Sequence, residues 1–300
     1  MPGSKRFLHP ETLRRIARLE LRAKQVVEGF LSGMHASPYT GNSVEFLQHR
    51  QYAPGDDPRH VDWKVWARQD RLYVKQFRED TNLRCLLVVD VSASMRYGFG
   101  PLNKYEYACT LAASLAYLLL RQQDAVGLLA IDESIRASVA VRSKRTQLEM
   151  ITRALEVATP AQKTEIYQNL IAAVDHIPGR GLVVLISDLL IPREGLFRGL
   201  QSLRAKGHDV VVFHVLDDDE LEFRLSGPTR FESLETEEVV PCDARALREG
   251  YLQELEKYLE EVRRGCARGG VDYALVRTGE PLDAALAAFL SYRMSAIRRG

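Results

Sequence analysis

A carboxylate and two hydroxyls occupy alternate positions in this sequence, at Asp90, Ser92 and Ser94. They directly follow an apolar run at 83–89 that predicts a buried strand. Carboxylate and hydroxyl oxygens are hard ligands suited to Mg²⁺ or Mn²⁺, with water completing an octahedron. The three residues therefore predict a divalent-metal site, although a strand that ends in an ordinary helix cap at Ser92 or Ser94 fits the same pattern.

Two more oxygen-bearing residues extend this candidate site. Thr164 lies in a predicted loop before a helical pattern, and Asp188 follows a second apolar strand at 182–187. In a doubly wound sheet, ligands bind beyond the carboxyl ends of the strands, so these residues are expected to meet Asp90 there. Taken singly, Thr164 could cap a helix and Asp188 could begin a turn.

The elements that position these residues form a regular alternation of short apolar runs and helical patterns from residue 83 onward. The predicted strands are 83–89, 125–131, 135–141, 182–187, 209–215 and 272–277. The predicted helices are 104–122, 144–157, 166–176, 194–206, 243–263 and 281–297. This alternation predicts an α/β fold with a doubly wound, mostly parallel six-stranded sheet covered on both faces. The short link at 132–134 fits a hairpin, so one edge strand is expected to be antiparallel.

The first 80 residues differ in texture from the rest of the chain. A helix is predicted at 10–31, where apolar residues recur at helical spacing, and a segment dense in turn formers, aromatics and mixed charges follows it. We expect residues 1–80 to form an appendage of this helix and extended segment, packed on a main domain at 81–300. Residues 218–241 are acidic and are predicted to be an insertion that contains a short β-hairpin.

Composition and charge argue against several classes of protein. Lysine and arginine number 41 against 40 aspartates and glutamates, so no excess of positive charge indicates nucleic acid or an anionic membrane as the main partner. The longest apolar stretch, at 108–120, is shorter than the roughly 20 residues that span a bilayer. The four cysteines lack metal-binding or redox spacing, and Cys85 and Cys109 are predicted core residues. We expect a soluble, cytoplasmic protein.

Several enzyme classes compete for the same residues, and each lacks a feature that it needs. A serine nucleophile elbow requires flanking glycines, which neither Ser92 nor Ser94 has. A phosphatase with an aspartyl nucleophile usually carries a second aspartate two positions on, where Ser92 stands. No glycine-rich nucleotide-binding loop follows the first strand of the sheet. A metal here is therefore expected to serve recognition, with no chemical step of its own.

The pattern Asp-x-Ser-x-Ser, with a downstream threonine and a strand-end aspartate, resembles the metal-ion-dependent adhesion site of von Willebrand factor A domains. The matching residues, taken loop by loop, are Asp90, Ser92 and Ser94, then Thr164, then Asp188. The usual glycine after the last aspartate is replaced by Leu189. The resemblance implies a metal ion with one open position, which a carboxylate from a partner protein fills. An ion held mainly by neutral hydroxyls stays electrophilic enough to attract that carboxylate.

The segment at 45–80 carries a second resemblance, to a smaller family of proteins that contain such A-type domains. Its sequence, EFLQHRQYAPGDDPRHVDWKVWARQDRLYVKQFRED, is similar to the signature of bacterial proteins grouped as domain of unknown function 58, in which it precedes an A-type domain. This kinship implies a partnership with a MoxR-type AAA+ ATPase in protein maturation or complex assembly. Many members carry two N-terminal membrane helices that this sequence lacks, so membrane insertion is not expected. The segment is predicted to brace the appendage through charge pairs, or alternatively to bind a partner.

Three functions remain open at this point. The leading hypothesis is a non-enzymatic interaction module that binds Mg²⁺ or Mn²⁺ and, through the ion, a carboxylate of a partner protein. The second is a divalent-metal-dependent hydrolase acting on phosphoryl or peptide substrates, which the absence of a well-placed histidine disfavours. The third is an A-type domain whose site is merely structural.

Overall fold

The protein is described by a computed structural model that covers parts of the N-terminal region and most of the chain from residue 83 onward. The described residues are 19, 21, 23, 46–51, 73–77, 83–158, 160, 177, 179–234, 239–287 and 289. The chain divides into two compact units, which are Gly33–Asn82 and the combination of Met1–Ser32 with Leu83–Gly300.

The smaller unit contains an antiparallel pair of strands, β1 (Phe46–Gln51) and β2 (Tyr73–Phe77). The pairing runs along both strands, with one irregularity near Phe46. The sequence predicted an extended segment here without identifying a sheet. The remaining residues of the 45–80 segment, including all of those predicted to form charge pairs except Arg50, lie outside the described residues.

The larger unit alternates strands and helices, as predicted. Its elements are β3 (Arg84–Asp90), α1 (Lys104–Arg121), β4 (Ala125–Ile131), β5 (Ile135–Arg142), α2 (Gln147–Val157), β6 (Leu182–Ser187), α3 (Arg193–Ala205), β7 (Asp209–Leu216), α4 (Asp218–Glu222), β8 (Pro228–Glu232), β9 (Val239–Asp243), α5 (Ala244–Arg268) and β10 (Asp272–Arg277). Each of the six predicted strands from residue 83 onward is present within one residue of its expected bounds.

Six of these strands form one sheet in the order β10-β7-β6-β3-β4-β5. All neighbours are parallel except β4 and β5, which form an antiparallel pair joined by the short link. The predicted mostly parallel sheet with one antiparallel edge strand is therefore confirmed. The strand order reverses direction at β3, which makes the carboxyl end of β3 a topological switch point, where ligands bind in folds of this kind.

Apolar cores cover the sheet on both faces because alternate residues of each strand point to opposite sides. On β3, Cys85, Leu87 and Val89 belong to one buried cluster, which also contains the apolar face of α1. Leu86 and Val88 belong to the other cluster, which contains residues of α3 and α5. The near-continuous apolar sequence of β3 follows from this burial on two sides, and the core position predicted for Cys85 is confirmed.

The strand register brings polar residues together at the carboxyl edge of the sheet. Val89 pairs with Ile186, so the residues that follow them, Asp90 and Ser187, end their two strands side by side. On the far side of β6, Ser187 pairs with His214 of β7. The apolar strands thus deliver a line of polar side chains to one edge.

The other predicted elements are found in part. Strands β8 and β9 form an antiparallel hairpin where an acidic insertion with a hairpin was expected. Residues 282–287 are helical, at the start of the helix predicted for 281–297. The helix predicted at 166–176 lies outside the described residues, as does that at 10–31 apart from residues 19, 21 and 23. Over the described part of the chain, none of the helices has the length and hydropathy needed to cross a membrane.

Candidate metal centre

Asp90, Ser92 and Ser94 form the first part of the site, at the end of β3. The Asp90 carboxylate is buried, and one of its oxygens accepts a hydrogen bond from the backbone N–H of Ser92 at 2.9 Å. Its other oxygen accepts from the Ser187 hydroxyl at 2.6 Å. These bonds fix the carboxylate across two adjacent strands, so that it faces the loop that carries the two serines.

The two serine hydroxyls lie against each other, with 3.0 Å between the Oγ atoms of Ser92 and Ser94. Ser92 is buried, whereas Ser94 is half-buried and reaches toward solvent. Neither hydroxyl caps a helix, which was the alternative interpretation of these two serines. The turn Ala93–Arg96 has no side-chain cap from Ser92, and the next helix, α1, is capped by Asn103.

The spacing of the hydroxyls fits a small divalent ion. Two adjacent ligands of an octahedral Mg²⁺, each at about 2.0–2.1 Å from the ion, stand about 3 Å apart, which is the separation of the two Oγ atoms. The donor set of hydroxyl and carboxylate oxygens is also the chemistry that Mg²⁺ or Mn²⁺ prefers. No cluster of three or more His, Cys, Asp or Glu side chains suited to a metal occurs within the described ranges, and a site built on serines does not require one.

Asp188 follows β6 and forms the second part of the site. Its side chain is buried, and one carboxylate oxygen accepts a hydrogen bond from the backbone N–H of Leu190 at 3.3 Å. The other oxygen lies 2.8 Å from the ammonium group of Lys104, the first residue of α1. The same ammonium lies 2.7 Å from a carboxylate oxygen of Glu220 on α4. A lysine therefore bridges two carboxylates at this edge of the sheet.

Lys104 is fully buried, which is unusual for a lysine. Burial alone would lower the pKa of Lys104, but the Asp188 and Glu220 carboxylates outweigh it and raise the pKa above its ordinary value. Sequence reasoning missed this residue. One signal was available, because a lysine in the first turn of a helix stands at the positive end of the helix dipole and needs anionic partners to be favourable there.

The charge of Asp90 responds to the same surroundings. Burial, followed by the negative charge of Asp188, raises the pKa of Asp90 to about 6, although hydrogen bonds from Ser187 and Ser92 act in the opposite direction. The two buried carboxylates repel each other, and a cation placed between them would remove that repulsion. The electrostatics of the site thus favour a bound positive charge.

His214, on β7, contacts the main chain of Asp188. It is a second residue of the site that sequence reasoning did not predict. Its Nε2 atom is 2.8 Å from the main-chain carbonyl of Asp188, and its Nδ1 atom is 2.8 Å from the Tyr273 hydroxyl. A carbonyl oxygen only accepts, so Nε2–H donates to it, and the tyrosine donates to Nδ1. Burial lowers the pKa of His214 to about 4, so the ring is neutral at pH 7. The polar residue within an otherwise apolar strand was the available signal.

Leu189 stands where the resemblance led us to expect glycine. Its φ of 54° lies in the left-handed region, so the backbone turns here as a glycine would allow. The side chain is fully buried in the core on one face of the sheet, and the Tyr258 hydroxyl donates to its carbonyl. Packing and this hydrogen bond hold a conformation that leucine rarely adopts, and they keep the turn after Asp188 intact.

Thr164, the fifth predicted ligand, lies outside the described residues. The chain that leads toward it is held beside the site at two points. The Tyr105 hydroxyl donates to the carbonyl of Ala158, and the Arg96 guanidinium donates to that of Pro160. Because Arg96 ends the turn that contains Ser94, the described end of this segment lies next to the serine loop.

An open groove of about 530 Å³ borders the site. It is lined by Leu190, Ile191, Pro192, Arg193 and Tyr258. Leu190 is 49% exposed, and on the serine side Phe99 is 76% exposed. Large apolar side chains therefore face solvent in the loops that follow both parts of the site.

The strand order, the Asp-x-Ser-x-Ser loop after the central strand and the aspartate after its neighbour define a von Willebrand factor A-like domain. More narrowly, the chain belongs to the family described as protein of unknown function DUF58, which matches residues 48–260. Uncharacterised proteins of Mycobacterium bovis and Mycobacterium tuberculosis are each 29% identical to it over 296 residues, which is 97% of this chain and 91% of theirs.

Solved structures similar to this chain include two Bacteroides proteins and one VWA domain. BatB from Bacteroides thetaiotaomicron has 18% identity and a TM-score of 0.46, covering 71% of this chain and 99% of its own. An aerotolerance-related membrane protein from Bacteroides fragilis has 17% identity and a TM-score of 0.45, covering 68% and 96%. The SpRpn10 VWA domain has 10% identity and a TM-score of 0.39, covering 68% and 94%.

Proposed function

We propose that this protein is a non-enzymatic interaction module that binds Mg²⁺ or Mn²⁺ and, through the ion, a carboxylate of a partner protein. One observation carries the proposal, which is the convergence of Asp90, Ser92, Ser94 and Asp188 at the carboxyl edge of the sheet. Asp90 and the two serines would hold the ion, with Asp188 beside it and Thr164 as a fifth ligand. The ion would supply an electrophilic position for an anionic ligand.

The charge at the site supports an anionic partner. The two serine hydroxyls are neutral and would offset little of the positive charge of the ion. The negative charge of Asp188 is already partly neutralised by Lys104. An ion held in this way keeps much of its positive charge, which attracts an Asp or Glu side chain from outside. The exposed side chains of Leu190 and Phe99 would add apolar contacts around that carboxylate.

The family suggests the kind of partner. Kinship with this group implies a MoxR-type AAA+ ATPase, and the work of such a pair would be protein maturation or complex assembly in the cytoplasm. In that arrangement the A-type domain would recognise a client or the ATPase, and the ATPase would supply the energy.

A metal-dependent hydrolase is the second candidate function. The one histidine close to Asp188 within the described residues, His214, is buried, and both of its ring nitrogens are engaged in hydrogen bonds. It is therefore a poor general base. Divalent-dependent turnover of a phosphoester panel, abolished by Asp188→Ala, would favour this candidate instead.

Partner recovery tests the interaction directly. The full chain, immobilised, is exposed to lysate of its own host in Mg²⁺, in EDTA, and as the Asp90→Ala variant, and bound proteins are identified by mass spectrometry. We expect an AAA+ ATPase to be recovered only when Mg²⁺ and Asp90 are both present. Recovery that is equal in all three conditions would refute metal-dependent recognition.

A further inference from the structure

We propose that Lys104 is the resident cation of this site, and that its ammonium group competes with a divalent ion for the carboxylate of Asp188. Lys104 would thereby set the affinity of the site for metal. The inference rests on the proposed function, since it assumes that a divalent ion binds among Asp90, Ser92 and Ser94.

The contacts of Lys104 are those of a bound cation. Its Nζ atom lies 2.8 Å from Asp188 and 2.7 Å from Glu220, and its side chain has no exposure to solvent. The ring of Tyr97 covers it at 5.7 Å. A buried ammonium without such partners would be strongly unfavourable, so the two carboxylates and the ring together form a built cation site.

The charges leave room for one divalent ion. Counted as fully ionised, the carboxylates of Asp90, Asp188 and Glu220 carry three negative charges, and Lys104 carries one positive charge, which leaves a net formal charge of −2. Removing Lys104 makes the net formal charge of the site −3, which strengthens its attraction for a divalent ion. The lysine therefore weakens metal binding while it allows the site to fold without metal.

Glu220 gives the lysine an alternative partner. The backbone of Lys104 is fixed by the capping box of Asn103 and Glu106 at the start of α1, so only its side chain can move. A divalent ion that draws Asp188 toward it would leave the ammonium on Glu220, whose other oxygen accepts from the backbone N–H of Asp217 at 2.8 Å. Metal binding would thus be transmitted to α4 through one lysine.

An opposite role is physically reasonable and makes the opposite prediction. If Lys104 served only to orient Asp188 for the ion, its removal would weaken metal binding. The sign of the change in metal affinity therefore separates the two roles.

The test is a titration with Mn²⁺, followed by the electron paramagnetic resonance signal of the free ion, on the full chain and its variants. Lys104→Met should bind Mn²⁺ about tenfold more tightly than the wild type or better, and adding Asp90→Ala should abolish that binding. Equal or weaker binding by Lys104→Met, with measurable binding by the wild type, would overturn the role of Lys104 alone. If neither protein binds Mn²⁺, the proposed metal function fails first.

A second variant keeps the proposal falsifiable if Lys104→Met does not fold. Glu220→Gln removes one partner of Lys104 and leaves its ammonium on Asp188. We expect Mn²⁺ binding to weaken several-fold relative to the wild type, with the far-UV circular dichroism unchanged. Unchanged or tighter binding by Glu220→Gln would also overturn the role of Lys104.

Discussion

The ammonium group of Lys104 lies 2.8 Å from a carboxylate oxygen of Asp188, and both side chains are buried. Lys104 is the first residue of α1, the helix that follows the serine loop. Asp188 directly follows β6, the strand next to β3. This ion pair joins the two halves of the candidate site through the interior of the protein. Removing this ion pair should change the folding stability of the protein as well as its affinity for metal.

Lys104→Met should lower the free energy of unfolding by about 3–5 kcal/mol, because it leaves the Asp188 and Glu220 carboxylates buried without their cation. Saturating Mg²⁺ should restore part of the loss, and it should stabilise the variant more than the wild type. Urea unfolding with and without Mg²⁺ measures both effects. The double variant Lys104→Met/Glu220→Gln, which has one buried charge fewer, should be more stable than Lys104→Met. A Lys104→Met protein as stable as the wild type would contradict the buried ion pair.

Ser187→Ala should destabilise the protein by about 2 kcal/mol at pH 8, because the ionised Asp90 loses a charge-assisted hydrogen bond. The pKa of Asp90 is raised to about 6, so at pH 5 the carboxyl is mostly protonated and the loss should be smaller. Urea unfolding of both proteins at the two pH values gives the comparison. A loss that is the same at pH 5 and pH 8 would argue against a carboxylate partner.

The buried His214 should make stability fall in acid. Its pKa is about 4 in the folded protein against 6.5 ordinarily, so the unfolded chain takes up the proton first as pH falls. The contribution of the neutral ring is complete above pH 6.5 and is lost toward pH 4, by on the order of 3 kcal/mol. Asp90 acts in the opposite sense over much of this window, because its raised pKa favours the folded state on acidification.

A matched variant isolates the histidine. The stability gap between the wild type and His214→Gln should narrow by on the order of 3 kcal/mol between pH 7 and pH 4, since only the wild type has the ring to protonate. Denaturant unfolding at several pH values measures the gap. A gap that does not change with pH would mean that the ring is not held neutral.

Leu189 combines an unfavourable backbone conformation with a buried side chain, and substitutions separate the two. Leu189→Gly should be at least as stable as Leu189→Ala, because glycine gains about 1 kcal/mol or more in the left-handed region. At Leu185, which is buried in β6 with ordinary strand geometry, glycine should be less stable than alanine by about 1 kcal/mol. Thermal or urea unfolding of the four variants tests this. The same gap between alanine and glycine at both positions would refute left-handed geometry at Leu189.

The sequence predicted the sheet well because its strands are buried on both faces. An apolar run such as β6 is compatible with few structures other than a buried strand. The polar residue at its end therefore had to lie at the carboxyl edge of the sheet. The positions of Asp90 and Asp188 at this edge could therefore be predicted from the sequence. The hydroxyls of Ser92 and Ser94 could be paired with them because the chemistry of hard ligands restricts which residues are useful.

Lys104 and His214 could not be predicted with the same certainty. Lysine is almost always exposed, and its burial depends on two carboxylates that are 84 and 116 positions away along the chain. The hydrogen bond from His214 to Asp188 depends on the register of β7 against β6, which periodicity alone does not fix. Long-range electrostatics and register are properties of the assembled fold, whereas burial pattern is local.

Direct titration of the protein with Mg²⁺ tests the central claim most sharply. Isothermal titration calorimetry on the wild type and Asp90→Ala is compared with Asp124→Asn, a buried aspartate that precedes β4 at the opposite edge of the sheet and accepts a hydrogen bond from Leu83. We predict one Mg²⁺ site in the wild type and in Asp124→Asn, and none in Asp90→Ala. Equal binding by all three proteins, or no binding by the wild type to Mg²⁺ or Mn²⁺, would contradict a metal site at Asp90.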